Sequence, residues 1–196
     1  MNPRRLSQRI SEGDGISVIA DVDGPEAARD AEDAGAEALL IAESARAQLP
    51  SIRGASGLPI VAVMRGTAQA AAIDGADACI VDVTGDEREP LERLQRELGE
   101  SFELAFRIER EEHLAFVLEE LDPEILVLAA PWDDRSPLDR VLELLPDVPA
   151  GKLAIADIQA SSREEVEELE RAGVDGVIVA AADAAHLITA APPPEV

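Results

Sequence analysis

Ala172-Gly173-Val174-Asp175-Gly176-Val177-Ile178-Val179 is the stretch on which the reading of the fold turns. The same phrase occurs as Ala34-Gly35-Ala36-Glu37-Ala38-Leu39-Leu40-Ile41 and as Asp74-Gly75-Ala76-Asp77-Ala78-Cys79-Ile80-Val81. A looser copy is Leu121-Asp122-Pro123-Glu124-Ile125-Leu126-Val127-Leu128. Each copy reads as a helix end, a glycine or proline stop, an acid and a short apolar run. Glycine after a helix supplies the left-handed turn that satisfies the last carbonyls. An unbroken apolar run suits a strand covered on both faces, as in a parallel sheet. The copies stand 40, 47 and 51 residues apart, the length of two strand–helix units.

Working outward, the same grammar fills the chain. Strands are predicted at Ile16–Ala20, Ala38–Ala42, Pro59–Val63, Ala78–Val83, Phe102–Ile108, Ile125–Ala129, Leu153–Ala156 and Val177–Ala180. Helices are predicted between them: Pro25–Ala34, a segment near Glu43–Arg53 broken by Pro50, and Thr67–Ile73. They continue with about Glu87–Leu98, Arg110–Leu121, Leu138–Leu145, Ser162–Ala172 and Ala182–Thr189. Pro25 and Pro137 sit where a helix start tolerates a missing N–H. Ser162 followed by Glu165 is a capping box. No hairpin signal interrupts the alternation, so the sheet is parallel. Eight units predict an α/β fold, a closed eight-stranded (βα)8 TIM barrel over residues 16–189, with an open doubly wound sheet as the alternative. At 196 residues the barrel is short, leaving little chain for a lid. Residues 1–15 read as a polar segment, either loose or a short helix plugging the barrel bottom. Residues 190–196, rich in proline, read as a disordered tail.

Composition narrows the function classes. The formal net charge is -24, which excludes nucleic acid and anionic membrane surfaces as partners of the protein body. A small-molecule metabolite remains as the expected partner, with the chain a monomer or a homodimer. One cysteine, Cys79, sits within an apolar run and fits a reducing compartment. No stretch of about 18 apolar residues occurs. The chain therefore reads as soluble and cytoplasmic.

Barrel chemistry sits at the carboxyl ends of the strands. Those ends carry Asp21 and Asp23, Glu43, Arg65, Asp82 and Thr84, Arg107 and Glu109, Trp132 and Asp133, Asp157 and Gln159, and Asp183. Asp21, Asp82 and Asp157 are the candidate acid–base residues. Glu43, Arg65, Arg107 and Trp132 are the candidate substrate contacts, Trp132 by stacking or by covering the barrel top. No cofactor is required by any motif; the ion that such carboxylates would suit is Mg2+. A solvated acidic rim is the competing reading, since 41 of 196 residues are acidic. The sole lysine, Lys152, precedes its strand and so lies at the far end, which removes a Schiff-base mechanism. His113 and His186 fall in separate helices with no second ligand at i+4, so neither suggests a metal site. No glycine-rich phosphate loop is present.

Several phrases carry a family resemblance. They are Ile19-Ala20-Asp21-Val22, Ala31 to Ile41, Leu58-Pro59-Ile60-Val61, Gly75-Ala76-Asp77-Ala78, and Arg163-Glu164-Glu165-Val166 running on to Gly173-Val174-Asp175. With these the chain resembles indole-3-glycerol phosphate synthase, a lyase of tryptophan biosynthesis and one of the ribulose-phosphate-binding (βα)8 barrels. The resemblance implies the barrel over about residues 16–180. It also exposes departures. The family's general-acid lysine falls on Val63, and its first-strand substrate lysine on Asp23. Its strand-five glutamate falls on Phe106 or Arg107, and its strand-six Asn-Asn on Ala129-Ala130. Its strand-seven Glu-Ser-Gly falls on Ile155-Ala156-Asp157, losing the glycine that lets backbone N–H groups approach phosphate. Two function classes follow. One is a barrel without synthase activity, a minimal scaffold or binding module whose mouth is filled by Val63, Phe106 and Ala129. The other is a diverged lyase or isomerase of a small phosphorylated or sugar-like metabolite, with a carboxylate-rich, Mg2+-suited mouth.

Overall fold

In the computed structural model, residues 4–64, 73–83, 88–131 and 136–188 are described. Eight parallel strands close on themselves in chain order: β1 Ser17–Asp21, β2 Ala38–Ile41, β3 Ile60–Met64, β4 Ala78–Asp82, β5 Glu103–Ile108, β6 Ile125–Ala129, β7 Leu153–Asp157 and β8 Gly176–Ala180. The ring is sealed by β1 on β8, with Ile19 opposite Ile178. The protein is a (βα)8 barrel, not an open sheet. Among the described residues the helices are α1 Arg5–Ser11, α2 Pro25–Ala34, α3 Leu49–Ala55, α4 Arg88–Leu98, α5 Glu111–Glu120, α6 Pro137–Leu144, α7 Arg163–Ala172 and α8 Ala181–Ile188. The predicted helix Thr67–Ile73 falls mostly outside the described residues, as does the tail 190–196.

The recurring phrase does what its chemistry demands. Gly35 and Gly173 close α2 and α7 with φ of 101° and 96°. The acid of the phrase also works. Asp175 accepts from the Ala154 N–H at 2.8 Å. Asp77, almost wholly buried, accepts from the Ile60 N–H at 2.9 Å and from both Arg5 and Arg53. These acids tie each new strand to its neighbour at the bottom of the ring.

Pro50 does not break a helix. A 3-10 segment, Glu43–Gln48, leads into α3, and Pro50 sits in the first turn of α3. There the missing N–H has no partner to lose, so the proline starts the helix. Ser162 caps α7 as expected: its side chain accepts from Glu165 N–H, and Glu165 accepts from the Ser161 and Ser162 N–H groups.

The core forms two concentric layers. The outer one, between strands and helices, holds Phe106, Leu39, Ile41, Ile60, Met64 and Leu128. The inner one fills the barrel with Ile19, Leu40, Val61, Ile80, Ala105, Val127, Ile155 and Ile178. Leu6 and Ile10 of α1 join this inner cluster, so α1 is a helix that plugs the barrel bottom. The plug is held by Glu103, a buried carboxylate that accepts from the Leu6 and Ser7 N–H groups at 2.6 and 3.0 Å. Lys152 lies at this end too, bonded to Asp122 and to the Pro123 carbonyl.

Candidate functional site

Side chains alternate inward and outward along each strand, and the stagger of a closed barrel stacks the inward ones in layers of four from alternate strands. Applied to the observed register, Ile19, Val61, Ala105 and Ile155 form one layer. Leu40, Ile80, Val127 and Ile178 form the next. Two residues farther along, the layer is Asp21, Val63, Arg107 and Asp157. Above it stand Ala42, Asp82, Ala129 and Ala180. The change from aliphatic to charged comes in a single step of the ladder. Three alanines in the uppermost layer are too small to close the ring.

A cleft of about 540 Å³ opens there. Its walls include Asp21, Leu40, Ala42, Glu43, Ser44, Val63, Ile80, Asp82, Arg107, Asp157 and Gln159. Five sequence-predicted site residues therefore meet: Asp21, Asp82, Asp157, Glu43 and Arg107. Arg65 and Trp132 lie outside the described residues, as do Thr84 and Asp133. Asp23 is exposed, and Asp183 sits in the first turn of α8 without lining the cleft.

The expected apolar plug is absent, for a reason of parity. Phe106 packs outward beneath the helices, and Arg107 takes the inward position. One residue of register exchanges a benzyl group for a guanidinium. Val63 does face the cleft, while Ala129 is too short to fill it.

Arg107 organises the charges. Its Nε donates to Asp157 at 2.9 Å and its Nη1 to Glu109 at 3.1 Å, with Asp82 3.7 Å from Nη1. Strands β4, β5 and β7 are thus joined above the apolar layers. Glu43 is exposed and pairs with Arg46 at 3.4 Å; Arg46 also donates to the Val63 carbonyl. Asp21 is different. No hydrogen bond or ion pair holds it among the described residues. Burial, then the charges of Asp157 and Asp23, push its carboxyl above the ordinary value of 3.8. It holds a proton more tightly than a solvated aspartate. Cys79 faces the outer core, and burial pushes its thiol up to about 12, so it is not a nucleophile.

Among the described residues no three acid, histidine or cysteine side chains converge to hold a metal ion. Asp82, Glu109 and Asp157 are instead turned onto the Arg107 guanidinium. Glu43 is paired with Arg46, so among the described mouth carboxylates Asp21 is the one without a cationic partner.

No family model matches the chain, and no curated protein matches it. Solved structures do. Phosphoenolpyruvate phosphomutase from Streptomyces platensis subsp. rosaceus superposes with a TM-score of 0.72 at 16% identity, over 92% of this chain and 81% of that one. Tryptophan synthase from M. tuberculosis gives 0.71 at 15%, over 93% and 97%. N-acetylmannosamine-6-phosphate 2-epimerase from Clostridium perfringens gives 0.65 at 13%, over 86% and 87%. What is shared is the barrel.

At such identities the likeness is one of backbone, and the side chains of this barrel's mouth must be read for themselves. Sequence reasoning named the strand-end acids, because position along a strand is enough to find them. It missed Ser44, and the neighbouring pair Arg110 and His113, which border a second, smaller cavity beside Arg107. These lie on loops or first helical turns, where strand parity gives no guide.

Proposed function

We propose that the mouth cleft is a small-molecule site, and that the protein performs acid–base chemistry of the lyase or isomerase type on a small polar metabolite. The observation that carries this reading is Asp21: a half-buried carboxyl, its pKa raised first by burial, on the floor of an open cleft and in the same layer as ionically paired Asp157 and Arg107. A carboxyl that keeps its proton nearer neutral pH is the kind of group that works as a general acid and, once deprotonated, as a base. Arg107, braced by its carboxylates, orients the ligand. Solved barrels similar in backbone include a phosphomutase and a 2-epimerase, which fits the class without naming the substrate.

The protein is further proposed to lack indole-3-glycerol phosphate synthase activity. Val63 occupies the place of the general acid, and among the described residues no backbone cradle for phosphate is seen at the mouth. Barrels that bind phosphate often use the loops after strands seven and eight with a short extra helix. Here α8 follows β8 without an intervening residue, and the N–H groups of Ser161 and Ser162 are already taken by Glu165.

Deuterium exchange from solvent into small hydroxy- and keto-compounds tests the acid–base reading. Exchange is expected with the wild type and should fall by about a hundredfold in Asp21→Asn, the usual scale for losing one proton-transfer group. Equal exchange in the two proteins would remove Asp21 from the mechanism. A second reading is favoured by the engagement of Arg107 Nε and Nη1 with internal carboxylates: a binding module that holds its ligand without turnover. Calorimetric binding with no exchange would select it.

A further inference from the structure

A smaller cavity of about 260 Å³ adjoins the mouth, walled by Asp82, Val83, Arg107, Glu109, Arg110 and His113. Asp82 and Arg107 belong to both cavities, so the Arg107 side chain stands between them. The two chambers differ in charge. Among the described residues that line the mouth, Asp21, Glu43, Asp82 and Asp157 face one arginine, Arg107. Among those that line the annex, Asp82 and Glu109 face two, Arg107 and Arg110. The annex also borders the first turn of α5. Its N-cap, Arg110, makes no side-chain capping bond, so the positive end of the helix is not offset by a cap. Glu111 and Glu112 of that turn are exposed and do not line the annex.

Two donors in this region are uncommitted among the described residues. The bonds of Arg107 to Asp157, Glu109 and Asp82 use Nε and Nη1, which leaves Nη2. His113 Nδ1 is buried and has no hydrogen-bond partner. A buried polar atom without a partner is costly; His113 Nδ1 is closed off from solvent, so a ligand group reaches it only when the ring turns toward the cavity.

We infer that mouth and annex are two ends of one binding site, built for a ligand with an ammonium group at one end and a carboxylate at the other. The ammonium lies among Asp21, Glu43 and Asp157. The carboxylate lies in the annex against Arg107 Nη2, Arg110 and His113. Charge complementarity of this kind sets which ligand is accepted more than how tightly any polar ligand binds. The inference rests on the reading of the mouth as a small-molecule site, and goes beyond it in naming the ligand's charges.

A panel of six-carbon chains tests it by calorimetric titration: 6-aminohexanoate, 1,6-diaminohexane, adipate and 1,6-hexanediol. The zwitterion is expected to bind about tenfold more tightly than each of the others. His113→Phe keeps the bulk of the ring without its nitrogens, and Arg110→Gln changes an exposed cap residue. Both should weaken 6-aminohexanoate by about tenfold and leave 1,6-diaminohexane within about twofold. Glu167→Gln on the exposed face of α7 should change nothing, which separates the site from general attraction to an acidic protein. Equal binding of the diol and the zwitterion would overturn the inference while leaving a polar small-molecule mouth. Tightest binding of the diamine, or no effect of either annex variant, would overturn the role of the annex. No binding of any member, with no deuterium exchange in the Asp21 experiment, would remove the mouth as a site altogether.

Discussion

At the scale of single residues, Asp21 trades stability for a proton. Its pKa is raised by burial first and then by Asp157 and Asp23. A carboxyl whose pKa is higher in the fold than in the unfolded chain binds its proton more tightly when folded. The stability this brings is complete below the unfolded value, near 3.8, and is lost as pH rises through the folded value. At neutral pH the ionised group is therefore a net cost. Asp21→Asn should raise the Tm at pH 7, with the gain shrinking as the pH approaches 4. Thermal melts at the two pH values decide it; a lower Tm at pH 7 would contradict the argument. Such a substitution would stabilise the protein while removing the proposed proton carrier, the trade expected at a working site. Arg107 and Phe106 make the same point about position. Neither side chain is unusual, and only the inward turn of one gives the mouth its guanidinium.

At the scale of elements, two devices hold the barrel in register. The first is the plug. Helix α1 has no side-chain cap of its own; Glu103, at the start of β5, accepts its first N–H groups from across the barrel bottom. Glu103→Ala should cost about 2–4 kcal/mol, because two N–H groups lose a charged acceptor. Urea unfolding measures this directly, and hydrogen exchange should show α1 amides losing protection before the strands do. The second device is the glycine of the repeated phrase. Gly173 closes α7 at a φ of 96°, where a side chain is strained although nothing else crowds the site. Gly173→Ala should destabilise by about 1–2 kcal/mol. Gly24 also has open space around its Cβ position but lies in extended backbone. Gly24→Ala should stay within about 0.5 kcal/mol of the wild type, so the pair of variants separates backbone strain from loss of volume.

At the scale of the whole molecule, charge opposes compaction. A net charge of -24 on 196 residues sets up self-repulsion that salt screens. Raising NaCl from low concentration to about 0.5 M should lift the Tm by roughly 2–4 °C, the shift that about 1 kcal/mol produces in a domain of this size. A flat Tm across that range would mean that the acids are locally compensated. Among the described residues no helix is long and apolar enough to cross a membrane. The strands bury aliphatic side chains on both faces, which is why a chain with 2% aromatic residues still fills two layers of core.

The amino-acid sequence alone determined eight alternating strand–helix units and a parallel sheet; that the sheet closes into a barrel is decided by the pairing of β1 with β8. The phrase of helix stop, acid and apolar run recurs, and each instance can be satisfied only by a strand covered on both sides, so the alternation and the parallel sheet follow from local chemistry. It also placed Asp21, Asp82, Arg107 and Asp157 at strand ends. It did not determine which strand-end side chains meet. Between Phe106 and Arg107 the choice rests on register, and a shift of one residue reverses every side chain on a strand. The joining of Asp82, Arg107 and Asp157 depends on closure and stagger, which set residues from three separate strands at one height. The annex beside His113 depends on how α5 packs against the end of β5. These are long-range relations, fixed by how the whole ring closes, and no window of sequence contains them.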